Sequence, residues 1–317
     1  MKTGKEEYYI SEIKRLKAEK NAIILAHYYQ TGDIQDIADF VGDSLALSQK
    51  AASNSADIIL FAGVKFMAET AKILAPEKKV LLPDMMAGCS LADSCKAEDF
   101  EKFLNENPGR TVVSYVNTSA EIKALSDIIC TSSNAIQIVE SLPRDEKIIF
   151  APDRNLGNYV LNKTGRDIVI WNGTCHVHEE FSLEAIINLK KENPDAKIIV
   201  HPECEMPVRL VADFIGSTSA LLNFTKKDPG NTYIVATEAG IIHQMKKENP
   251  QKNYIPVPPR DSTCGCSECN FMKLITVKKI YDCLSGESPE IFLDNEIMLK
   301  ARKPIIRMME ISEKLGL

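Results

Sequence analysis

No apolar run in this 317-residue sequence approaches the roughly 18–20 residues that span a bilayer, and Met1 to Lys20 is charged and helix-like, without the apolar centre of a secretion signal. The expectation is a cytoplasmic protein. Clusters of Lys and Arg longer than a pair are also missing, and 38 basic against 44 acidic residues leave a net charge of −6, so the electrostatic footprint of a nucleic-acid binder is absent. An anionic ligand would have to be held by local dipoles. With 44% hydrophobic and 26% charged residues, disordered and fibrous classes are excluded.

Nine cysteines are present. In a cytosolic chain that odd number does not make a disulfide framework, which directs attention to metal binding or catalysis. The length allows two domains or three small ones.

Short runs rich in Ile and Val alternate with helix-length amphipathic stretches, the pattern of parallel strands joined by crossover helices. One segment recurs: Asp39-Phe40-Val41-Gly42-Asp43-Ser44, then Asp127-Ile128-Ile129-Cys130-Thr131-Ser132, then Asp213-Phe214-Ile215-Gly216-Ser217-Thr218, at steps of 88 and 86 residues. Each copy reads as a helix ending in an acid, a short strand, and a turn of small hydroxyl residues. Strands are expected near Ile23, Val112 and Ile198, near Ile58, Ile148 and Ile234, and near Val80, Ile168 and Ile255. Any α/β protein has quasi-periodic strands, but that does not explain Asp-Phe-(Val/Ile)-Gly returning at twice the period.

The expected fold class is therefore α/β, with three homologous three-layer α/β/α domains whose small parallel sheets sit in a pseudo-threefold arrangement around a central cluster site. The domains would run 21–108 behind an N-terminal helix over 1–20, 109–194 and 195–270, with C-terminal helices over 271–317 packing on the repeats. Ligands of open α/β sheets sit beyond the carboxyl ends of the strands. Three such ends facing inward would enclose one shared site.

A cysteine follows the last strand of each unit: Cys89 after Gly88, Cys175 in Gly173-Thr174-Cys175-His176-Val177-His178, and the group Cys264, Cys266 and Cys269. Three sulfurs from three domains suit an iron–sulfur cluster with one iron left open better than a zinc site built from local CxxC pairs. Cys95 is an alternative to Cys89, and spacing does not choose among the last three. Cys130, Cys204 and Cys283 read as small buried hydrophobes.

Polar residues mark the end of each first strand: His27 with Tyr28 and Tyr29, Tyr115 with Asn117, and His201 with Glu203. Aligned His, Tyr and His favour proton transfer. Glu203, two residues past His201 on one face of an extended segment, and Tyr29 at the matching offset from His27, form the leading catalytic pair. The turns Asp43-Ser44, Thr131-Ser132-Ser133 and Ser217-Thr218 should begin helices whose N–H groups can receive carboxylate or phosphate.

The motifs Ala26-His27-Tyr28-Tyr29-Gln30, Gln35 through Ser44, Tyr115-Val116-Asn117-Thr118, Thr131 through Ala135, Gly173 through His178 and His201-Pro202-Glu203-Cys204 together resemble the quinolinate synthase (NadA) family, from Ile23 to about Ile275. The resemblance implies three related α/β domains around a [4Fe-4S] cluster held by Cys89, Cys175 and Cys269 with one iron open. It implies condensation of iminoaspartate with dihydroxyacetone phosphate to quinolinate in NAD biosynthesis, releasing phosphate and two waters, with iminoaspartate supplied by an aspartate-oxidising enzyme. Tyr29, Glu203, His27, Tyr115 and His201 would then serve proton transfer, and His178 and Asn117 would orient substrates. Ser44, Ser132 and Thr218, with Asp43 and Ser217 in the same turns, would bind the dicarboxylate. Many members carry CxxCxxC where this chain has Cys264-Gly265-Cys266-Ser267-Glu268-Cys269, a departure in the first spacing. The rival readings are an aconitase-type hydro-lyase and an iron–sulfur carrier or redox sensor. No nucleic acid and no membrane is expected as a partner.

Overall fold

The computed structural model of the chain describes residues 4–260 and 267–317. Strands β1 (Ala22–His27), β2 (Phe40–Gly42), β3 (Ile58–Ala62) and β4 (Lys79–Leu81) form one sheet in the order β2-β1-β3-β4. Strands β5 (Thr111–Tyr115), β6 (Ile128–Cys130), β7 (Ile148–Ala151) and β8 (Ile168–Ile170) form a second in the order β6-β5-β7-β8. The third sheet, from β9 (Lys197–Val200), β10 (Phe214–Ile215), β11 (Thr232–Ala236) and β12 (Asn253–Pro256), runs β10-β9-β11-β12. Every pairing is parallel. The chain is thus α/β, with three small parallel sheets of one strand order, and the nine strand positions read from the repeat all fall inside strands.

Parallel strands require crossovers and covered faces, which is why they read as continuous apolar runs. In β3, β6 and β7 every residue is buried.

The recurring aspartate has a structural task. Asp39, Asp127 and Asp213 each follow a helix rather than end it, and each carboxylate accepts the main-chain N–H of a residue fifteen positions earlier in the first strand: Ile24 at 2.8 Å, Val112 at 2.7 Å and Ile198 at 2.7 Å. Their own N–H groups return the bond to the carbonyls of Ile24, Val112 and Ile198. The side chain therefore supplies the first rung between the two strands before the second strand begins, and it fixes their register three times over.

The helix Asn295–Lys314 packs on Lys65–Leu74, on Ala120–Ala124 and on β6, so it ties the first two sheets together. Ala301, Ile305 and Met308 bury its apolar stripe, whereas Leu315 stays exposed. The helix Gly4–Glu19 covers Val277–Gly286, with Tyr8 and Tyr9 packed against Tyr281, and buries Ile13 and Leu16. Among the described residues, no helix is long and apolar enough to cross a membrane.

Candidate active site at the meeting of three strand ends

The carboxyl ends of all three sheets open on one cavity. Of the residues that the family resemblance assigns to the site, all line it except Ser217. Ser217 is turned into its own helix, accepting the Ala220 N–H at 3.3 Å. Among the described residues, none that lines it is Lys or Arg.

The hydroxyl turns do begin helices. Asp43 caps Ser44–Ser53 and Ser217 caps Thr218–Lys227, while in the second unit the cap is Asn134, which leaves Ser132 and Ser133 ahead of the helix. That extra length lets Ser133 Oγ reach both sister turns, donating to Asp43 Oδ2 at 2.6 Å and lying 2.9 Å from Ser217 Oγ. Three repeats therefore meet at one serine. Ser44, Ser132 and Thr218 face the cavity beside this junction.

The segments carrying Tyr29 and Glu203 are turns rather than extended chain. In each, the residue two positions on folds back so that its N–H meets the imidazole: Tyr29 N to His27 Nδ1 at 3.2 Å, and Glu203 N to His201 Nδ1 at 3.4 Å. The two tight turns are equivalent across repeats, and they aim Tyr29 and Glu203 into the same space.

A chain of polar contacts joins that pair. Glu203 Oε2 lies 2.7 Å from His178 Nδ1, His178 Nε2 lies 3.0 Å from Thr237 Oγ1, and Tyr29 OH lies 2.9 Å from both Thr237 Oγ1 and Thr218 Oγ1. Sequence reading missed Thr237. Its only signal was its place just past the last residue of β11, a strand end that carries Gly63 and Pro152 in the other repeats.

Burial would push the Glu203 carboxyl up, but His178, His201 and the nearby Tyr115 hydroxyl together take it down to about 2. Its Oε1 is buried and unpartnered, as is Asn117 Oδ1, so two acceptors on the cavity wall are uncommitted. Burial holds His27 down at about 4 and His201 at about 3, leaving both neutral. Tyr29 and Tyr115 are pushed well above their ordinary range by burial and by the charge of Glu203, so both remain protonated donors.

Cys89, Cys175 and Cys269 line the same cavity, where the charge of Cys269 raises Cys89 and those of Cys89 and Cys269 raise Cys175. Burial pushes Cys89 up to about 12 and raises the other two. Against this, the amides of Ala92, His178 and Met272, each three residues beyond a sulfur, ease ionisation. Cys89 and Cys175 do so from the caps of one-turn helices, without a tight cap hydrogen bond. The loop of Cys175 needs Gly173, since a Cβ there would lie 2.6 Å from the Pro152 carbonyl oxygen.

Cys95 does not compete with Cys89: it is buried in a separate cluster with Phe100 and Val112 and against Trp171. Cys130, Cys204 and Cys283 are buried. Cys264 and Cys266 lie outside the described residues. Cys175 Sγ, a His178 nitrogen and a Glu203 oxygen all lie within 4.8 Å of one another, donors able to bind a metal ion.

The family model described as "Quinolinate synthetase A protein" matches residues 11–310. The chain is 58% identical over 303 residues to a quinolinate synthase of Thermosynechococcus vestitus, covering 96% of this chain and 95% of that one. It is 60% identical over 300 residues to the quinolinate synthase of Microcystis aeruginosa, 95% and 94% of the two chains. The relative from Synechocystis, also a quinolinate synthase, is 58% identical over 303 residues, 96% and 95% of the two. A likeness that spans all three sheets and the loops that build the cavity leaves one assignment: the chain belongs to the quinolinate synthetase A family.

Proposed function

We propose that this chain is a quinolinate synthase that condenses iminoaspartate with dihydroxyacetone phosphate, releasing phosphate and two waters with no net change in oxidation state. The reading that supports it rests on one observation above the others: three thiols, one per repeat, and the Glu203–His178–Thr237–Tyr29 contact chain share a single cavity. The domain division 21–108, 109–194 and 195–270, with covering helices over 1–20 and 271–317, belongs to the same proposal.

The donor set fits a [4Fe-4S] cluster held by Cys89, Cys175 and Cys269. Among the described residues no fourth cysteine lines the cavity, and each of the three sulfurs has an amide placed to stabilise a thiolate. Such a cluster supplies a Lewis-acidic iron with an open position. Glu203, ionised at neutral pH, accepts protons from substrate. Tyr29, held by Thr218 and Thr237, gives them up, and His178 with Thr237 carries charge between the two. Neutral His27 and His201 and the hydroxyl of Tyr115 complete the proton-handling wall. Ser44, Ser132, Thr218 and Asn117, at helix starts and strand ends, receive the substrate carboxylates and phosphate without basic side chains. Asp43 and Ser217 hold these turns in place.

An aspartate-oxidising enzyme is the matching source of iminoaspartate, since the imine hydrolyses in water. The test is anaerobic reconstitution with iron and sulfide, followed by quinolinate assay with freshly generated iminoaspartate and dihydroxyacetone phosphate. Quinolinate formed in proportion to bound iron supports the reading. Cluster-loaded protein that forms none removes it. A single zinc per chain at Cys175, His178 and Glu203 would favour a mononuclear centre instead.

A further inference from the structure

We propose that Glu238 is a positioning residue that braces Cys269 and couples that sulfur to the loop carrying Tyr29. Glu238 is fully buried and lines the cavity. Its Oε1 accepts the Cys269 N–H at 3.1 Å and lies 2.8 Å from Lys273 Nζ, and its Oε2 accepts the Gly240 N–H at 2.7 Å. Lys273 Nζ in turn donates to the Tyr29 carbonyl at 2.7 Å. One carboxylate thereby reaches the loop after β11, the third cysteine and, through its lysine, the first repeat.

The repeat shows how this brace differs from its counterparts. Val64, Asp153 and Glu238 stand at one equivalent place, two residues past β3, β7 and β11. Val64 is apolar. Asp153 is buried too, but its Oδ1 is spent on the Leu156 N–H at 2.6 Å and its Oδ2 has no partner. Its carboxylate stands near the Cys175 amide, but the glutamate, one carbon longer, accepts the Cys269 N–H and reaches a lysine as well. Cys269 is also the furthest along the chain from its sheet: it comes 13 residues after β12 ends, against 8 for Cys89 after β4 and 5 for Cys175 after β8.

The close contact with the first repeat depends on Gly240, where a Cβ would lie 2.8 Å from the Tyr29 carbonyl carbon and 2.9 Å from the Gln30 oxygen. A buried ion pair is a weak source of stability. Its value here is placement, because outer-shell partners of metal ligands fix ligand orientation.

The proposal rests on the cluster reading above, so its test has one arm with no metal. Iron release to a chelator is followed in anaerobically reconstituted protein, and hydrogen exchange of the Cys269 peptide is followed in metal-free protein. Glu238→Ala is expected to release iron about tenfold faster and to speed exchange at Cys269 while the Cys89 peptide exchanges as in the parent protein. Glu238→Gln keeps an oxygen for the Cys269 N–H and is expected to recover both. Parent-like iron release and parent-like exchange in Glu238→Ala overturn the brace.

If Glu238→Ala does not fold, the paired substitution Glu238→Gln with Lys273→Met decides. It preserves the Cys269 acceptor and removes the tie to Tyr29, so kcat is expected to fall by about tenfold or more at unchanged iron content and little-changed KM. An unchanged kcat overturns the coupling. If the parent protein binds no iron, the cluster reading fails, while exchange at Cys269 still judges the brace.

Discussion

Glu203 Oε2 and His178 Nδ1 stand 2.7 Å apart although the two residues belong to different repeats. The carboxylate is thus ionised and half-satisfied at once: one oxygen is held by the imidazole and the other, buried, has no partner. A charged acceptor with a free oxygen on a cavity wall is arranged to take a proton. Glu203→Gln preserves shape and removes that capacity, so it should retain iron and sulfide while kcat drops about 10²–10⁴-fold. A rate near that of the parent protein would remove Glu203 from the chemistry.

The cysteines separate into two groups by what surrounds them. Cys89→Ser, Cys175→Ser and Cys269→Ser should each abolish cluster binding, since each takes one sulfur from the cavity. Cys95→Ser, Cys130→Ser and Cys283→Ser should keep it and lose only stability, about 1–3 kcal/mol for a hydroxyl placed in an apolar site. Iron and sulfide analysis of the six variants checks this. Retained iron in Cys269→Ser together with loss in Cys264→Ser or Cys266→Ser would reassign the third ligand.

The strands and their threefold recurrence were legible because parallel strands buried on both faces leave unbroken Ile and Val runs, and because the aspartate that opens each second strand is fixed by a backbone contact common to all three sheets. The role of that aspartate was not legible, since a carboxylate that accepts an N–H fifteen residues away looks in sequence like an ordinary helix end. The turns that carry Tyr29 and Glu203 were picked out by residue type, but their shape was read as extended chain; nothing local in His201-Pro202-Glu203 announces that the glutamate amide folds back over the imidazole. Thr237 and Glu238 were missed for a related reason. Their partners His178, Lys273 and Cys269 lie 31 to 59 residues away, and only the assembled sheets bring them together.

The neutral, buried imidazole of His27 makes stability depend on acid. Its pKa falls from 6.5 to about 4 on folding because burial disfavours the charged form. Between those values the unfolded chain binds a proton that the folded one does not, so stability is full above pH 6.5 and declines as pH falls toward 4. His27→Asn should therefore lose less stability between pH 7 and pH 4.5 than the parent protein, by on the order of 2 kcal/mol. Urea unfolding of metal-free protein at the two pH values measures it. Equal losses in both proteins would show that His27 is not held neutral.

The three aspartates that lock strand pairs offer a test of the repeat that is independent of chemistry. Asp39, Asp127 and Asp213 accept the N–H groups of Ile24, Val112 and Ile198 at 2.8, 2.7 and 2.7 Å. Those amides belong to strands flanked on both sides, so replacing the acid by Ala leaves a donor without its partner at the head of the ladder. Each Ala variant should cost about 1–2 kcal/mol, seen as a lower urea midpoint, with iron binding unaltered. Asn, which keeps an oxygen acceptor, should recover most of it. Asp36→Ala provides the comparison: its carboxylate meets only the side chains of His243 and Lys247 at the surface, and its loss should cost below about 0.5 kcal/mol. Because the same contact recurs in three sheets of one strand order, the three losses should be of similar size; a loss confined to one of them would mean that the repeat preserves the residue without preserving its work.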